Sequence, residues 1–160
     1  MLKILLLIIS VLFSFASSVK GAFGLKLGEK YPVKYLNKSV KIQGYVAYQI
    51  EPKKSISKFS EYYIVVTPIS HKIVKIIAKG DYDHCTEEKD VLNMVLVKKY
   101  RTDLILDWLN HSESKRENYI ILTCMNWDSE LVIQYVSPKL IDLYKKEKSI
   151  IEAKKFGNSL

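Results

Sequence analysis

The hydrophobic pattern of the chain changes period three times, and this succession constrains the fold more than any other feature of the sequence. Segments rich in β-branched and aromatic residues precede a helical segment, and a shorter series of the same kind follows it. The succession is three strands, a helix, two strands and a helix, at residues 41–50, 61–68, 72–80, 86–100, 119–124, 130–135 and 139–155. The short links predict an α+β domain (order β-β-β-α-β-β-α) with an antiparallel sheet of about five strands and both helices on one face.

The helical segments carry their own start signals and apolar faces. Thr86 is predicted to cap the first helix, whose buried face would comprise Val91, Leu92, Val95 and Leu96. Ser137 and Pro138 begin the last helix, whose buried face would comprise Leu140, Ile141, Tyr144, Ile150 and Ile151. Two other segments are less regular. Residues 22–32 predict a short strand or an arm that closes over the core, and a short helix is predicted from Leu104, Ile105, Trp108 and Leu109.

The N-terminus has the order of a secretory signal peptide. Lys3 precedes an apolar stretch over residues 4–16, and small residues follow it. A transmembrane anchor is the alternative, but about 13 apolar residues fall short of the roughly 20 that span a bilayer. We therefore expect a signal peptide at residues 1–18, cleaved after Ser18 or after Gly21. The exported chain would be periplasmic or secreted, with a single domain at residues 22–160.

The chain is basic, with 25 lysines and arginines against 17 acidic residues and a formal net charge of +8. An exported basic protein suggests anionic partners such as lipopolysaccharide, phospholipid headgroups, acidic glycans or nucleic acid. Only Arg101 and Arg116 are arginines. Because arginine is favoured for bidentate phosphate and base recognition, nucleic acid is a poor candidate. The alternative is that the lysines are solvated surface and reflect genome composition.

Two cysteines, Cys85 and Cys124, remain after the predicted cleavage. An even cysteine count in an exported protein predicts a disulfide, here between the start of a helix and the end of a strand. A link across 39 residues would stabilise the fold by about 4 kcal/mol at most. The alternative is a reduced pair with one nucleophilic thiolate.

The stretch GDYDHCTEEKD, residues 80–90, collects the residue types of a metal or catalytic site. Adjacency of His84 to Cys85 is no sign of catalysis, since neighbours in an extended segment point in opposite directions. Asp81 and Asp83 match the first positions of an EF-hand loop, but its glycine and closing glutamate are absent. No CxxC, HExxH, GxSxG or phosphate-binding glycine loop occurs. We interpret the stretch as strand end, turn, disulfide cysteine and helix start, and predict no cofactor, metal or catalytic residue.

Tyrosines crowd the first half of the chain and alternate with lysines. Tyrosine beside lysine on a sheet face can bind a glycan or another protein. The alternative is that tyrosine favours half-buried strands for reasons of packing alone. The predicted binding surface comprises Tyr31, Tyr35, Lys41, Tyr45, Tyr48, Lys53 and Lys54.

Four segments together give the chain a resemblance to small exported proteins of Gram-negative bacteria with two cysteines. They are FGLKLG, YYIVVTP, CTEEKDVLNMVLVKKY and YIILTC with the following ELVIQY. The resemblance implies a periplasmic location and a disulfide between the cysteines, and it implies no activity.

From these features we expect a non-enzymatic exported domain that binds a cell-envelope partner, as an inhibitor or immunity protein would. Attachment of the lysines to a membrane surface or to lipopolysaccharide is the first alternative. The second is a thiol-dependent enzyme that uses Cys85 or Cys124 with a histidine.

Overall fold

The computed structural model describes residues 18–106 and 117–157. Seven strands form one mixed sheet in the order β3-β4-β5-β6-β9-β8-β7, and β1 and β2 form a separate small hairpin. The strands are β1 (Gly21–Ala22), β2 (Leu25–Lys26), β3 (Ser39–Ile42), β4 (Tyr45–Gln49), β5 (Glu61–Val66), β6 (Ile73–Asp81), β7 (Ile105–Leu106), β8 (Tyr119–Met125) and β9 (Glu130–Val136). Two α-helices, α1 (Cys85–Lys99) and α2 (Pro138–Gly157), and two 3₁₀ turns, Val33–Tyr35 and Thr102–Leu104, complete the described elements. The α+β class is confirmed.

The two helices lie on opposite faces of the sheet, so the prediction of both helices on one face is wrong. Leu96 of α1 packs with Ile76 and Ile133 on one side, in a cluster that includes Cys85. Tyr144 of α2 packs with Ile77 and Val132 on the other. The central strands β6 and β9 are therefore buried on both faces. Their sequences, IVKIIA and LVIQYV, are nearly continuous apolar runs, as strands covered on both sides require.

The sheet has seven strands instead of about five for two local reasons. Residues 41–50, predicted as one strand, are split by a turn at Gln43 and Gly44, whose φ angles of 51° and 79° suit a type I′ hairpin. The predicted short helix does not include Leu104 and Ile105. A 3₁₀ turn, Thr102–Leu104, leads directly into β7, which pairs in parallel with β8 and makes the sheet mixed. Trp108 and Leu109 lie outside the described residues.

The predicted hairpin between β5 and β6 and the predicted N-terminal arm are both confirmed. The arm forms the hairpin β1–β2 and inserts Phe23 into the core. The Phe23 ring is edge-on to those of Tyr62 and Tyr135, with centroid distances of 5.1 Å and 5.9 Å. Val19, before the arm, is also buried, and its carbonyl accepts a hydrogen bond from the side chain of Asn118 at 2.8 Å. The fold thus includes residues that precede the predicted domain start at residue 22.

Helix α1 has the predicted extent but a different buried side. Leu96 is buried and Leu92 half-buried, whereas Val91 and Val95 are about half exposed. Cys85 at the first position of the helix is fully buried and bonded to Cys124. The side of the helix that carries Cys85 therefore faces the sheet, which turns Val91 and Val95 outward.

Helix α2 is joined to the β5–β6 turn by Glu147. This buried carboxylate accepts hydrogen bonds from the Ile69 N–H at 2.6 Å, the Ser70 N–H at 3.0 Å and the Ser70 hydroxyl at 2.6 Å. Burial alone would raise the pKa of Glu147, but these bonds, with one from Thr67, hold the pKa below its ordinary value. The ionised carboxylate is therefore part of the fold. Among the described helices, none is long and apolar enough to cross a membrane.

Candidate functional site

The predicted disulfide is present. The sulfur atoms of Cys85 and Cys124 lie 2.09 Å apart, and their Cα atoms 5.8 Å apart. The two sulfur atoms are bonded to each other, so neither is present as a thiolate. Within the described residues, the single group of three closely placed metal-ligand types is Cys85, Cys124 and Asp128. Because both sulfurs are bonded in the disulfide, this group does not have the donor set of a metal site.

The stretch at residues 80–90 follows the structural interpretation, with one correction. Asp81 ends β6 and Cys85 begins α1. Thr86, predicted as the cap, is the second residue of the helix, and His84 occupies the cap position without a side-chain hydrogen bond to the helix. The Thr86 hydroxyl instead bonds to the Asp128 carboxylate at 2.6 Å, which ties the helix start to the β8–β9 turn.

The sheet divides the predicted tyrosine–lysine surface instead of assembling it. Tyr31, Tyr35 and Tyr48 belong to the side of α1, where Tyr48 is half-buried against the core. Tyr45 belongs to the side of α2, where its ring packs on Tyr144 at 5.1 Å and lies under the Lys75 ammonium at 4.2 Å. The alternation of side chains along β4 causes this separation. Tyr45 and Tyr48 therefore serve packing on opposite faces.

The three lysines of the predicted surface do not line the open groove beside Tyr31 and Tyr35. Lys53 and Lys54 lie beside the N-terminal arm, where the Lys54 N–H donates to the Phe23 carbonyl at 3.2 Å. Lys41 is exposed on β3, the edge strand, opposite Val46. The lysine that does line this groove is Lys38, which lies outside the predicted surface.

The groove, which we call the tyrosine groove, has a volume of about 570 Å³ and is lined by Tyr31, Tyr35, Asn37, Lys38, Gln49, Ile50 and Glu51. The rings of Tyr31 and Tyr35 meet edge to face at 6.4 Å. Burial, and next the neighbouring Tyr35, raise the pKa of Tyr31, so this phenol is neutral at pH 7. The Gln49 N–H donates to the Lys38 carbonyl at 2.9 Å and joins the two walls. Apolar faces, amides, one ammonium and one carboxylate thus line one opening, a composition suited to binding a polar ligand or peptide.

A second exposed aromatic site lies at the turn between β8 and β9, where the sequence predicted only a turn. Trp127 is fully exposed at the apex of this turn, and Met125 beside it is also exposed. Three successive residues other than glycine, Asn126, Trp127 and Asp128, have positive φ angles of 52°, 59° and 70°. A tryptophan in a segment of turn residues was the available sequence signal, but its exposure depends on the fold around it.

Comparison of the chain with protein-family models, with curated proteins and with solved structures finds no match.

Proposed function

We propose that this protein is a non-enzymatic binding domain of the cell envelope that engages its partner through the tyrosine groove. The observation that carries the proposal is the convergence of two tyrosine rings with Lys38, Asn37 and Glu51 on one open groove. Tyr35 is 53% exposed, so its ring is accessible to a partner. Tyrosine rings offer a large apolar surface and a polar end at low entropic cost, which suits them to interfaces.

Binding is a better account of this groove than catalysis. Among the described residues that line it there is no imidazole and no thiol, and its one carboxylate, Glu51, is exposed. A thiol enzyme would also require the Cys85–Cys124 bond to be opened. Export is supported by the disulfide, which persists in oxidising compartments. An inhibitor or immunity protein is the version of this function that needs a compact, stapled binding domain and no reactive group.

A lysine-driven attachment to lipopolysaccharide or phospholipid is the second candidate. It is favoured by Lys34, Lys38, Lys41, Lys53 and Lys54, all of which are exposed in the first half of the chain. Such attachment weakens as salt screens the charges, whereas a packed protein interface largely survives.

A photocrosslinking amino acid at position 35, introduced in the native host, tests the proposal. The matched control carries the same group at Lys145, which is exposed on α2. We expect position 35 to give a discrete adduct with an envelope protein and position 145 to give none. The adduct should persist when envelopes are washed in high salt before irradiation. Equal adducts from both positions, or loss of the adduct in salt, would contradict a specific interface at the groove.

A further inference from the structure

The fully exposed Trp127 indole is the most prominent apolar group on the described surface. Tryptophan is among the residues most enriched at binding hot spots, since it buries a large area when it enters a pocket on a partner. A side chain of this size in water contributes nothing to the fold through burial. Its position therefore calls for a function that is realised in a complex.

The turn that carries Trp127 is held from both sides. The Ser129 N–H donates to the Met125 carbonyl at 3.2 Å, and the Ser129 hydroxyl donates to the Asn126 carbonyl at 2.6 Å. Three consecutive left-handed residues are costly, and such conformations persist where surrounding contacts fix them. The indole is thus presented by a turn with a defined shape, which lowers the entropy lost on binding.

The same turn is anchored to α1 by covalent and hydrogen bonds. Cys124, at the end of β8, is bonded to Cys85 at the helix start. The Cys85 N–H donates to the Asp128 carbonyl at 3.0 Å, and the Tyr82 N–H donates to the Ser129 carbonyl at 2.8 Å. Together with the bond from the Thr86 hydroxyl to the Asp128 carboxylate, these contacts fix the turn to the body of the domain.

The charge around Trp127 is opposite to that of the whole protein. Residues 80–90 and 124–130, which meet at this end of the sheet, contain seven acidic residues and one lysine, although the chain carries a net charge of +8. Lys58 and Lys79 pair with two of these acids, Glu88 and Glu130, and the other five still leave an acidic excess. An open depression of about 460 Å³ beside the turn is lined by Asp81, Tyr82, Asp83 and Ser129. Neither Asp81 nor Asp83 has an ion-pair partner within residues 18–106 and 117–157. Two exposed carboxylates thus lie beside the turn that carries the indole.

We propose that Trp127 and this acidic depression form a second docking surface, which binds a basic protein segment. An arginine or lysine of the partner would lie over the indole face, while Asp83 and its neighbours neutralise the charge. A neighbouring apolar side chain of the partner would cover the indole edge and Met125. Anionic lipid and nucleic acid are repelled by the same carboxylates. This surface is independent of the tyrosine groove and would remain if the groove had no partner.

A random peptide library displayed on phage, selected on the folded protein, tests this proposal. Selected peptides are then measured as synthetic peptides on four proteins: the native protein, Trp127→Ala, Asp83→Lys and Phe156→Ala. Phe156 is the matched control, an exposed aromatic residue on α2. We expect the peptides to be net basic with an apolar residue. Affinity should fall at least tenfold in Trp127→Ala and in Asp83→Lys, and should be unchanged in Phe156→Ala.

Several outcomes would overturn the proposal. Selected peptides that are neutral or acidic would contradict the basic partner, as would equal binding to the native protein and Trp127→Ala. Failure to select any peptide that depends on Trp127 would count in the same way. Sedimentation of the native protein is the second measurement: a dimer that Trp127→Ala dissociates would identify a second copy, not a foreign segment, as the occupant. Unchanged thermal unfolding in Trp127→Ala excludes misfolding, since the side chain touches little of the fold.

Discussion

The tyrosine groove and the Trp127 turn both expose aromatic side chains, but different chemistry holds each in place. The Trp127 turn is fixed by the Cys85–Cys124 disulfide. At the tyrosine groove, the Tyr31 N–H donates to the His71 carbonyl at 2.8 Å. His71 belongs to the β5–β6 turn, which is itself held by Glu147. One surface therefore depends on a redox-sensitive bond and the other on an ionised carboxylate. A reductant should loosen the first, and acid should loosen the second.

Replacement of both Cys85 and Cys124 by alanine should have the largest effect on stability. The bond closes a loop of 39 residues, so its loss should reduce the free energy of unfolding by up to about 4 kcal/mol. Binding at Trp127 should weaken further, since the turn loses its covalent anchor. Denaturation in urea measures the first effect, and titration of a basic peptide selected on the native protein measures the second.

The comparison would fail if the double alanine variant lost groove binding as strongly as binding at Trp127. A double alanine variant as stable as the native protein would also contradict the comparison, because the disulfide would then not be what holds the Trp127 turn. The single variant Cys124→Ala is not a suitable control, since it leaves an unpaired thiol at the buried Cys85.

Glu147→Gln should have a smaller and pH-dependent effect. Loss of the charged acceptor should destabilise the protein by about 1–3 kcal/mol at pH 7. The folded-state pKa of Glu147 is lowered from its ordinary value of 4.5, so the carboxylate contributes its full stability above that pH. The contribution is lost as the pH falls below 4.5 through the lowered folded-state pKa. Unfolding midpoints of both proteins from pH 7 to pH 2.5 should therefore converge at the acidic end.

A constant difference between the two proteins over this range would show that Glu147 acts through packing, not through its charge. Lys148→Gln is the control, because Lys148 is exposed on the same helix and pairs only loosely with Glu152, at 3.9 Å. It should leave the midpoint nearly unchanged at both ends of the pH range.

Local sequence patterns were sufficient for some of these features and insufficient for others. The disulfide, the β5–β6 hairpin and the extent of α1 follow from residue types and spacing within short segments. The positions of the helices on opposite faces do not, although the apolar runs of β6 and β9 contained the signal. The burial predicted for Val91 and Val95 from the periodicity of α1 is wrong. The Cys85–Cys124 disulfide, not periodicity alone, decides which side of the helix faces the sheet.

The candidate surfaces divide in the same way. Tyr31 and Tyr35 are predicted from composition and do lie together, since they are only four positions apart in the chain. Tyr45 and Tyr48 were selected on the same ground and are separated by the alternation of β4. Trp127 was not selected at all. Its exposure is set by contacts of Asp128 with residues more than forty positions earlier, which no local pattern contains.

The smallest expected effect concerns the backbone strain of the Trp127 turn. Trp127 has a φ angle of 59° and a fully exposed side chain, so glycine would relieve the backbone without removing a packed group. The left-handed conformation costs about 1–2 kcal/mol for a residue with a Cβ atom, and glycine avoids this cost. Glycine also raises the conformational entropy of the unfolded chain, which offsets part of the gain in stability. We expect Trp127→Gly to be more stable than the native protein by about 0.5–1 kcal/mol.

Trp127→Ala separates the two contributions, because alanine removes the indole and keeps the Cβ atom. Its stability should equal that of the native protein, whereas both variants should lose binding of the basic peptide. Urea denaturation of the three proteins, with the disulfide intact, measures the difference. A Trp127→Gly variant less stable than Trp127→Ala would mean that the turn is relaxed as it stands. The exposed indole would then be no more constrained than the tyrosines of the groove, and the contrast between the two surfaces would rest on the disulfide alone.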